Sequence, residues 1–564
     1  MEELSKSQKA RIAIRTFKTL ADALTLRGNY KPSGKTGQKL AESLKQFNPE
    51  IYGSMSDPRI VELKGLEYVI DRMPRGIEKC NRIILTAQED FQNTSFEEVV
   101  PLKRRRISYV VSEKEICFVI TRGLTEIYDI LTHITFLHIE SQKISQQINY
   151  KDGHVSEEWH DLEKVVKNGE KELLGAVLDQ SIWNLSIILG RTYKETKETY
   201  EHLEKHRRCG NHNDGLFQII YSLGQRCLGE LMSETDHLTI YFTPSLHEMI
   251  GHHKYASLWA RSIKGRLFEL GHQNRTIHII SANMHSVKNI LYGSGALLEN
   301  EEDVPEDLYE MIGLVRNQEE KINRYAEKHG YVFLPDHSGS TIDAMIIDTA
   351  RIDLGTLHPK IDMNVNYHCQ QMPVLVIIDY AFGTQAFEVM DELLSPYMLK
   401  DKEITFHIES ISIMGKAGIL PGKKGDIMLA TAHVMEGTPH NYIVNNDLMV
   451  SDFDDSVDVY CGPMVTVLGT SLQNKDILSR FSTSSWKAIG LEMEGGHYQR
   501  AISAAIIQGH IPMNMKTRYA YYASDNPLLS GQTLASGPMG KEGLVPTYMI
   551  TKVILEKILN TMDA

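Results

Sequence analysis

The sequence predicts an α/β protein with three successive parts: a mainly helical N-terminal region over residues 1–235, a smaller α/β unit over residues 236–370, and a C-terminal α/β domain over residues 371–564. Apolar residues recur at helical spacing in the first part, for example between Ile12 and Leu24. In the second part, short apolar runs alternate with helical segments, which is typical of α/β units. The third part opens on a fully apolar, β-branched run at residues 373–378, as expected for a strand buried in a central sheet.

Length, charge and cysteine spacing argue against several classes of protein. A chain of 564 residues exceeds one compact core, so we expect several domains. The formal net charge of −13 argues against a nucleic-acid partner, because phosphate binding relies on dense Lys/Arg surfaces. No apolar run approaches the roughly 18–20 residues that cross a bilayer, and no secretory core follows the first residues. The six cysteines are scattered without a CxxC pair, so we expect a cytoplasmic protein with reduced thiols.

The first two parts carry few functional signals. Residues 107–111 and 116–120 predict a β-hairpin in the N-terminal region, whose role stays open. In the second part, which is open to a regulatory interpretation, the polar loops 281–286 and 335–341 each follow a strand-like run. Such loops suit ligand contacts, but helix caps and turns explain them equally well.

Glycine-containing loops follow two predicted strands of the C-terminal domain. Residues 373–378 lead into Asp379-Tyr-Ala-Phe-Gly-Thr-Gln385, and residues 408–413 lead into Gly415-Lys-Ala-Gly418, which we interpret as a turn. In open α/β sheets, ligands bind at the carboxyl ends of strands, where glycine permits close approach.

The segment Gly490-Leu-Glu-Met-Glu-Gly-Gly496 brings two carboxylates to the start of an alanine-rich helix, and a later strand ends in Ser524-Asp525. In this order, the loops and carboxylates resemble the purine nucleoside phosphorylase/uridine phosphorylase superfamily, with the nearest resemblance to AMP nucleosidase. The resemblance covers residues 372–560. It implies a nucleoside-phosphorylase-like, three-layer α/β/α domain that cleaves N-glycosidic bonds.

The resemblance also implies roles for particular residues. Glu494 would hold the ribose hydroxyls and stabilise an oxocarbenium-like state, with Met493 against the ribose face. Asp525 would protonate the purine N7, which needs a carboxyl group whose pKa is raised by burial, and residues 519–523 supply apolar neighbours. The alternatives are that Glu494 only favours the helix N-terminus and that Asp525 caps the turn before Pro527.

Further residues match the family pattern with less definite roles. Arg518 could reach a 5′-phosphate or a neighbouring subunit, or form a surface ion pair, and we expect Glu492 to face solvent or a subunit. The remaining candidate substrate-binding residues are those of the two glycine loops and of two strand ends: Gly383, Thr384, Gly415, Gly418, Thr470, Ser471 and Ser524.

The expected reaction is hydrolysis of a purine nucleotide or nucleoside, with AMP giving adenine and ribose 5-phosphate as the leading case. The first loop lacks the arginine of many phosphorylases and the glutamate of thioadenosine-type nucleosidases, and the loop 469–474 has no aromatic residue to stack on a base. A phosphate-dependent phosphorylase and an inactive nucleotide sensor therefore remain alternatives. We expect no cofactor, no metal, no nucleic-acid or membrane partner, and a homo-oligomer.

Overall fold

The structure, a computed structural model, describes residues 4–87, 91–103, 106–148, 155–168, 173–232, 237–363, 372–400, 402–529 and 541–560. The chain divides into two compact units. Unit 1 comprises Met1–His252 together with Ser471–Ile477, and unit 2 comprises His253–Thr470 together with Leu478–Ala564. No helix among the described residues is both long and apolar enough to span a bilayer.

Unit 1 combines helices with a sheet. Its helices are α1 (Lys6–Arg27), α2 (Lys35–Phe47), α3 (Leu63–Ile70), α4 (Gly123–Ile148), α5 (Glu157–Asn168), α6 (Ala176–Leu189), α7 (Tyr193–Gly210), α8 (Leu216–Met232) and α9 (Pro244–His252). Its strands are β1 (Asn29–Tyr30), β2 (Arg82–Thr86), β3 (Glu97–Glu98), β4 (Ile107–Ser112), β5 (Glu115–Val119) and β6 (Thr239–Phe242).

The six strands of unit 1 form one sheet in the order β1-β6-β2-β5-β4-β3. The hairpin predicted near residues 107–120 is confirmed, since β4 and β5 pair antiparallel. The strand after residue 236, which the sequence suggested as the start of a second unit, instead pairs with β1 and β2. This edge of the N-terminal sheet is thus completed by a strand distant in sequence, a pairing that local patterns do not reveal.

Unit 2 contains the remaining elements. Its helices are α10 (Lys254–Glu269), α11 (Met284–Glu299), α12 (Leu308–Val315), α13 (Glu319–Lys328), α14 (Gln385–Leu394), α15 (Lys475–Thr483), which begins in the segment assigned to unit 1, α16 (Gly495–Gln508) and α17 (Lys541–Asn560). Its strands are β7 (Ile277–Ser281), β8 (Tyr331–Leu334), β9 (Ala344–Asp348), β10 (Val374–Ile378), β11 (Tyr397–Leu399), β12 (Lys402–Ile404), β13 (Ile408–Ile419), β14 (Ile427–Met435), β15 (Asn441–Ile443), β16 (Val459–Thr466), β17 (Gly490–Glu492) and β18 (Lys516–Asp525).

The strand β10 of the unit 2 sheet has five residues that are all buried, as the apolar run predicted. It pairs in parallel with β7 and antiparallel with β9. Residues 253–363 therefore share one sheet with the C-terminal strands rather than forming a separate intermediate unit. The physical reason is that a strand buried on both faces needs a hydrogen-bonding neighbour on each edge, and the chain before β10 supplies both.

One part of this sheet closes on itself. The long strand β13 pairs with β18, β18 with β14, β14 with β16, β16 with β17, and β17 again with β13. This ring of five strands gives its members hydrogen-bonding neighbours on both edges. The strands β17 and β18, which lead into the two predicted catalytic segments, both pair with β13.

Helices cover both faces of the unit 2 sheet, in agreement with the α/β prediction. One buried apolar cluster joins the sheet to α10, α14 and α16, and includes Trp259, Val389 and Ile502. A second cluster joins it to α11, α12, α13 and α17, and includes Ile290 and Ile554. The strands thus lie between two helical layers.

Candidate active site in unit 2

Glu494 lies at the start of α16, and its side chain is hydrogen-bonded to the loop that follows β10. The N–H of Gly383 donates to Oε1 of Glu494 over 2.9 Å. Gly383 has a φ of 56°, a left-handed conformation that favours glycine. Glu494 occupies the N-cap position of α16 but makes no capping hydrogen bond with its side chain. Any favourable effect of Glu494 on the helix N-terminus is therefore an effect of its charge, not of a capping hydrogen bond.

The capping carboxylate is Glu492. Its Oε2 accepts the N–H of Glu494 over 2.6 Å and also the N–H of Gly495, while its Oε1 lies 3.2 Å from Nδ1 of His433. Glu492 is 2% exposed, so the expectation that it faces solvent was wrong. Strand alternation predicts that Glu492 and Met493 point to opposite sides of the chain. It does not show that the side of Glu492 faces the interior of the strand ring.

Burial on its own raises the pKa of Glu492, but the hydrogen bond and charge of His433, together with Thr466 and the N–H of Gly495, outweigh it. The net pKa lies below the ordinary glutamate value, which favours the ionised form of Glu492. An anion at the first turn of a helix is favoured by the helix dipole as well as by its hydrogen bonds.

Tyr498 ties the first turn of α16 to two strand ends. Its hydroxyl lies 3.0 Å from Oγ of Ser281, the last residue of β7, and it also hydrogen-bonds the backbone of Ala381 after β10. Tyr498 is buried, as is Ser281. The loops after β7 and β10 therefore meet the start of α16, which is the carboxyl-end location expected for a ligand site in an α/β sheet.

Asp525, the last residue of β18, is fully buried at 0% exposure. Oγ of Ser524 donates to Oδ1 over 2.6 Å, whereas Oδ2 has no hydrogen-bond partner among the described residues. Burial raises the pKa of this carboxyl group, and the Ser524 hydrogen bond and the charges of Lys416 and Lys424 offset this only in part. This is the direction that the role of a general acid requires, and a protonated Oδ2 would be a hydrogen-bond donor without an acceptor among the described residues.

The two predicted catalytic segments flank one residue of β13. Gly418 pairs with Leu491 on one edge of the strand and with Asp525 on the other. Since neighbouring strands lie ~4.8 Å apart, the backbones of Leu491 and Asp525 are separated by about 10 Å.

The Gly415–Gly418 segment was expected to be a turn, but it lies inside β13. A Cβ on Gly418 would come within 2.9 Å of Leu491 and 3.3 Å of Pro527, so only glycine allows these segments to approach. A Cβ on Gly415 would meet Tyr521 at 3.7 Å, an ordinary contact. Strand pairing on both edges of β13 accounts for the correction.

Tyr380 is an aromatic residue that the sequence reasoning passed over, because a base-stacking ring was sought only in the loop after β16. It follows β10 directly, is 43% exposed, and has a ring carbon 3.9 Å from the position of a Cβ on Gly415. Its hydroxyl hydrogen-bonds the backbone of Asn283. The signal was available in the sequence: an aromatic residue beside the glycine loop at the end of a buried strand.

The remaining candidates occupy varied positions. Met493 is buried, Thr384 is half-buried at the N-cap position of α14, and Thr470 is half-buried at the last residue before the segment assigned to unit 1. Ser471 lies within unit 1, where its Oγ is 3.4 Å from Oδ1 of Asp129. The structure therefore brings Gly383 into direct contact with Glu494, and Ser524 into direct contact with Asp525.

Arg518 lies seven residues before Asp525 on β18, about 23 Å away along an extended strand. It is 1% exposed, and its guanidinium contacts Asp447 at 2.7 Å and Oγ of Ser410 at 2.9 Å. These contacts match the ion-pair alternative, although the arginine is buried rather than at the surface.

The two polar loops of the second part also differ from each other. Ser281 joins the candidate site through Tyr498. In contrast, the carboxylate of Asp336 accepts the N–H groups of Ser338 and Thr341 at 2.8 and 2.6 Å. The loop after β8 is therefore a turn with hydrogen bonds of its own, and the backbone oxygen of Ser340 also accepts Nε2 of Gln385, the first residue of α14, over 2.7 Å.

Residues 38–311 and 307–560 match the model of DUF6909, which is described as a family of unknown function. The chain belongs to DUF6909. No curated protein matches the sequence of this family member.

Solved structures similar to this DUF6909 chain include three nucleoside-processing enzymes. The 5′-methylthioadenosine/S-adenosyl homocysteine nucleosidase of Helicobacter pylori has a TM-score of 0.30 and 11% identity, over 51% of this chain and 99% of that chain. Futalosine hydrolase of Helicobacter pylori has a TM-score of 0.29 and 10% identity, over 51% and 99%. Uridine phosphorylase isoform 2 of Schistosoma mansoni has a TM-score of 0.29 and 10% identity, over 51% and 87%. At TM-scores this low none of them identifies a function for this chain, which must be inferred from the site itself.

Proposed function

We propose that this chain hydrolyses the N-glycosidic bond of a purine nucleotide or nucleoside, with AMP giving adenine and ribose 5-phosphate as the leading case. The observation that carries the proposal is the pair of carboxyl groups flanking β13. Glu494 is half-buried and accepts a backbone N–H, whereas Asp525 is fully buried, with a pKa raised by burial and one oxygen that has no hydrogen-bond partner among the described residues. Glycosidic cleavage needs these two kinds of carboxyl group, one ionised and one protonated.

In this proposal, Glu494 accepts hydrogen bonds from the ribose hydroxyls. Gly383 fixes one of its oxygens, which orients the carboxylate before substrate arrives. A carboxylate held in this way stabilises the positive charge that develops on the ribose as the bond to the base breaks. Buried Met493, the preceding residue, would pack against the sugar.

Asp525 then donates its proton to N7 of the departing purine. Its neutral form is favoured by burial, and Ser524 occupies only Oδ1. The proton on Oδ2 therefore has no competing acceptor among the described residues. Tyr380, exposed beside the loop after β10, is the candidate to stack on the purine ring.

We assign the orientation of the attacking water to Asp379. This carboxylate is half-buried at the end of β10, in the same loop as Gly383, and its Oδ1 accepts the N–H of Tyr380 over 2.8 Å. In this proposal Asp379 takes a proton from the attacking water, because it belongs to the same loop as the glycine that holds the ribose carboxylate and a general base must lie within one hydrogen bond of the proton that it removes.

The test is incubation of the full chain with AMP or adenosine, with and without inorganic phosphate, followed by chromatographic measurement of free base. Release of adenine without phosphate supports hydrolysis. Strict dependence on phosphate would replace hydrolysis by phosphorolysis. Tight binding of AMP without any turnover would contradict the proposal and favour a nucleotide sensor.

A further inference from the structure

The interior of the strand ring contains a buried polar cluster that none of the proposed catalytic roles uses. Glu492 on β17 contacts Nδ1 of His433 on β14 at 3.2 Å and the hydroxyl of Thr466 on β16. All three are nearly or fully excluded from solvent, at 2%, 0% and 2% exposure. Since Glu492 accepts from the Thr466 hydroxyl and from two backbone N–H groups, we assign Nδ1 of His433 as the donor in its contact with Glu492.

This cluster is bonded directly to the backbone that carries Glu494. Oε2 of Glu492 accepts the N–H of Glu494 itself over 2.6 Å and the N–H of Gly495. The hydroxyl of Thr466 accepts the next amide, that of Gly496, over 3.2 Å. Three successive N–H groups are thus fixed from inside the ring.

The glycines after Glu494 have a steric reason to be there. A Cβ on Gly495 would collide with the ring of His433 and lie 2.5 Å from the hydroxyl of Tyr521. A Cβ on Gly496 would lie 2.7 Å from Oγ1 of Thr466. The first turn of α16 therefore contacts the cluster without intervening side chains, so a shift of Glu492 is transmitted to the backbone of Glu494.

We propose, on the basis of the function proposed above, that Glu492 and His433 are positioning residues that set the place of the Glu494 carboxylate relative to the ribose hydroxyls. They touch no substrate. Gly383 fixes the Glu494 side chain from the loop after β10, and Glu492 fixes its main chain from within the ring. A carboxylate held at both ends loses little freedom when it binds the sugar.

The proposal is tested with Glu492→Gln and His433→Gln, compared with Glu494→Gln and with the control His407→Gln. His407 forms an exposed contact with Glu409 at 3.9 Å. His407→Gln therefore removes a His–Glu contact that lies outside the ring interior. The readouts are kcat/KM for AMP and 2′-deoxy-AMP, adenine affinity by calorimetry, and melting temperature.

We expect Glu492→Gln and His433→Gln to lower kcat/KM for AMP about 10–100-fold, since small misplacements of binding groups have effects of this size. The loss should be smaller for 2′-deoxy-AMP, which lacks one hydroxyl. The ribose preference, which is the ratio of kcat/KM for AMP to kcat/KM for 2′-deoxy-AMP, should therefore fall towards that of Glu494→Gln. Adenine affinity should stay within about 3-fold of wild type, and His407→Gln should behave as wild type. An unchanged ribose preference in both variants would overturn the proposal.

Crystal structures of wild type and Glu492→Gln separate this inference from the proposed function. A displacement of the Glu494 carboxylate by about 1 Å is expected even if the wild-type chain releases no base. An unmoved carboxylate would overturn the positioning role, even in an active enzyme. If either substitution prevents folding, Thr466→Val removes a hydroxyl from the same cluster and gives the same comparison.

Discussion

The substitution Asp525→Asn removes the acidic proton of residue 525 and keeps the shape of its side chain. Asparagine keeps an oxygen to accept from Ser524, and it has nearly the same volume, so the packing of this fully buried site is preserved. What disappears is the acidic proton on Oδ2. A general acid typically contributes 10²–10⁴-fold, so we expect kcat for AMP to fall by about that factor, or about 3–5 kcal/mol of barrier at 1.36 kcal/mol per tenfold.

The assay compares leaving groups of different basicity. The adenine of AMP needs protonation at N7 to leave. A 4-nitrophenyl riboside 5-phosphate instead releases 4-nitrophenolate, which is a stable anion. We expect Asp525→Asn to change the second rate by less than about 3-fold, because general-acid help is unnecessary there. Asp426→Asn is the matched control: Asp426 is also buried with a pKa raised by burial, but it accepts the N–H of Lys423 at 2.8 Å. Equal losses on both substrates in Asp525→Asn would refute the assigned role.

The same substitution should also change how the melting temperature depends on pH. Because burial raises the folded-state pKa of Asp525, its neutral form is favoured in the fold, and the associated stability is lost as pH rises through that pKa. Asn carries no charge at any pH. The melting temperature of Asp525→Asn relative to wild type should therefore rise as pH increases above the ordinary aspartate value of about 3.9. A constant difference across pH would contradict the assigned ionisation.

Four further substitutions test the geometry of unit 2. Gly418→Ala should destabilise the fold by about 1–3 kcal/mol, because its Cβ would lie 2.9 Å from Leu491, whereas Gly415→Ala should change the denaturation midpoint little. Arg518→Met should lower the melting temperature by removing the partner of Asp447, yet leave the ratio of KM values for AMP and adenosine unchanged; a selective rise in KM for AMP would restore its predicted role at the 5′-phosphate. Tyr380→Ala should raise KM for purine substrates about 5–30-fold, as expected for losing one stacking contact of about 1–2 kcal/mol, and an unaltered KM would exclude that contact.

The sequence predicted the elements of unit 2 better than their connections. The apolar run of β10 and the Ser-Asp end of β18 were recognisable because burial and strand length leave local patterns. The ring closure was not, since it depends on pairings such as that of β13 with β17, which are distant in sequence. For the same reason, Gly415–Gly418 was assigned to a turn although it lies in a strand.

The candidate site shows the same limit at the level of side chains. Glu492 and Glu494 are two residues apart with identical chemistry, and only their surroundings separate a buried helix cap from a half-buried carboxylate on Gly383. Arg518 and Ser471 matched the family pattern by position, yet their partners are Asp447 and Asp129. Long-range partners decide the role of a polar residue, and a single sequence does not contain them.

The account is tested most directly by a crystal structure of Asp525→Asn with AMP bound. It predicts that the ribose hydroxyls lie within hydrogen-bond distance of Glu494 while the residue at 525 lies within hydrogen-bond distance of the purine N7. AMP bound elsewhere, or touching only one of these two residues, would contradict it.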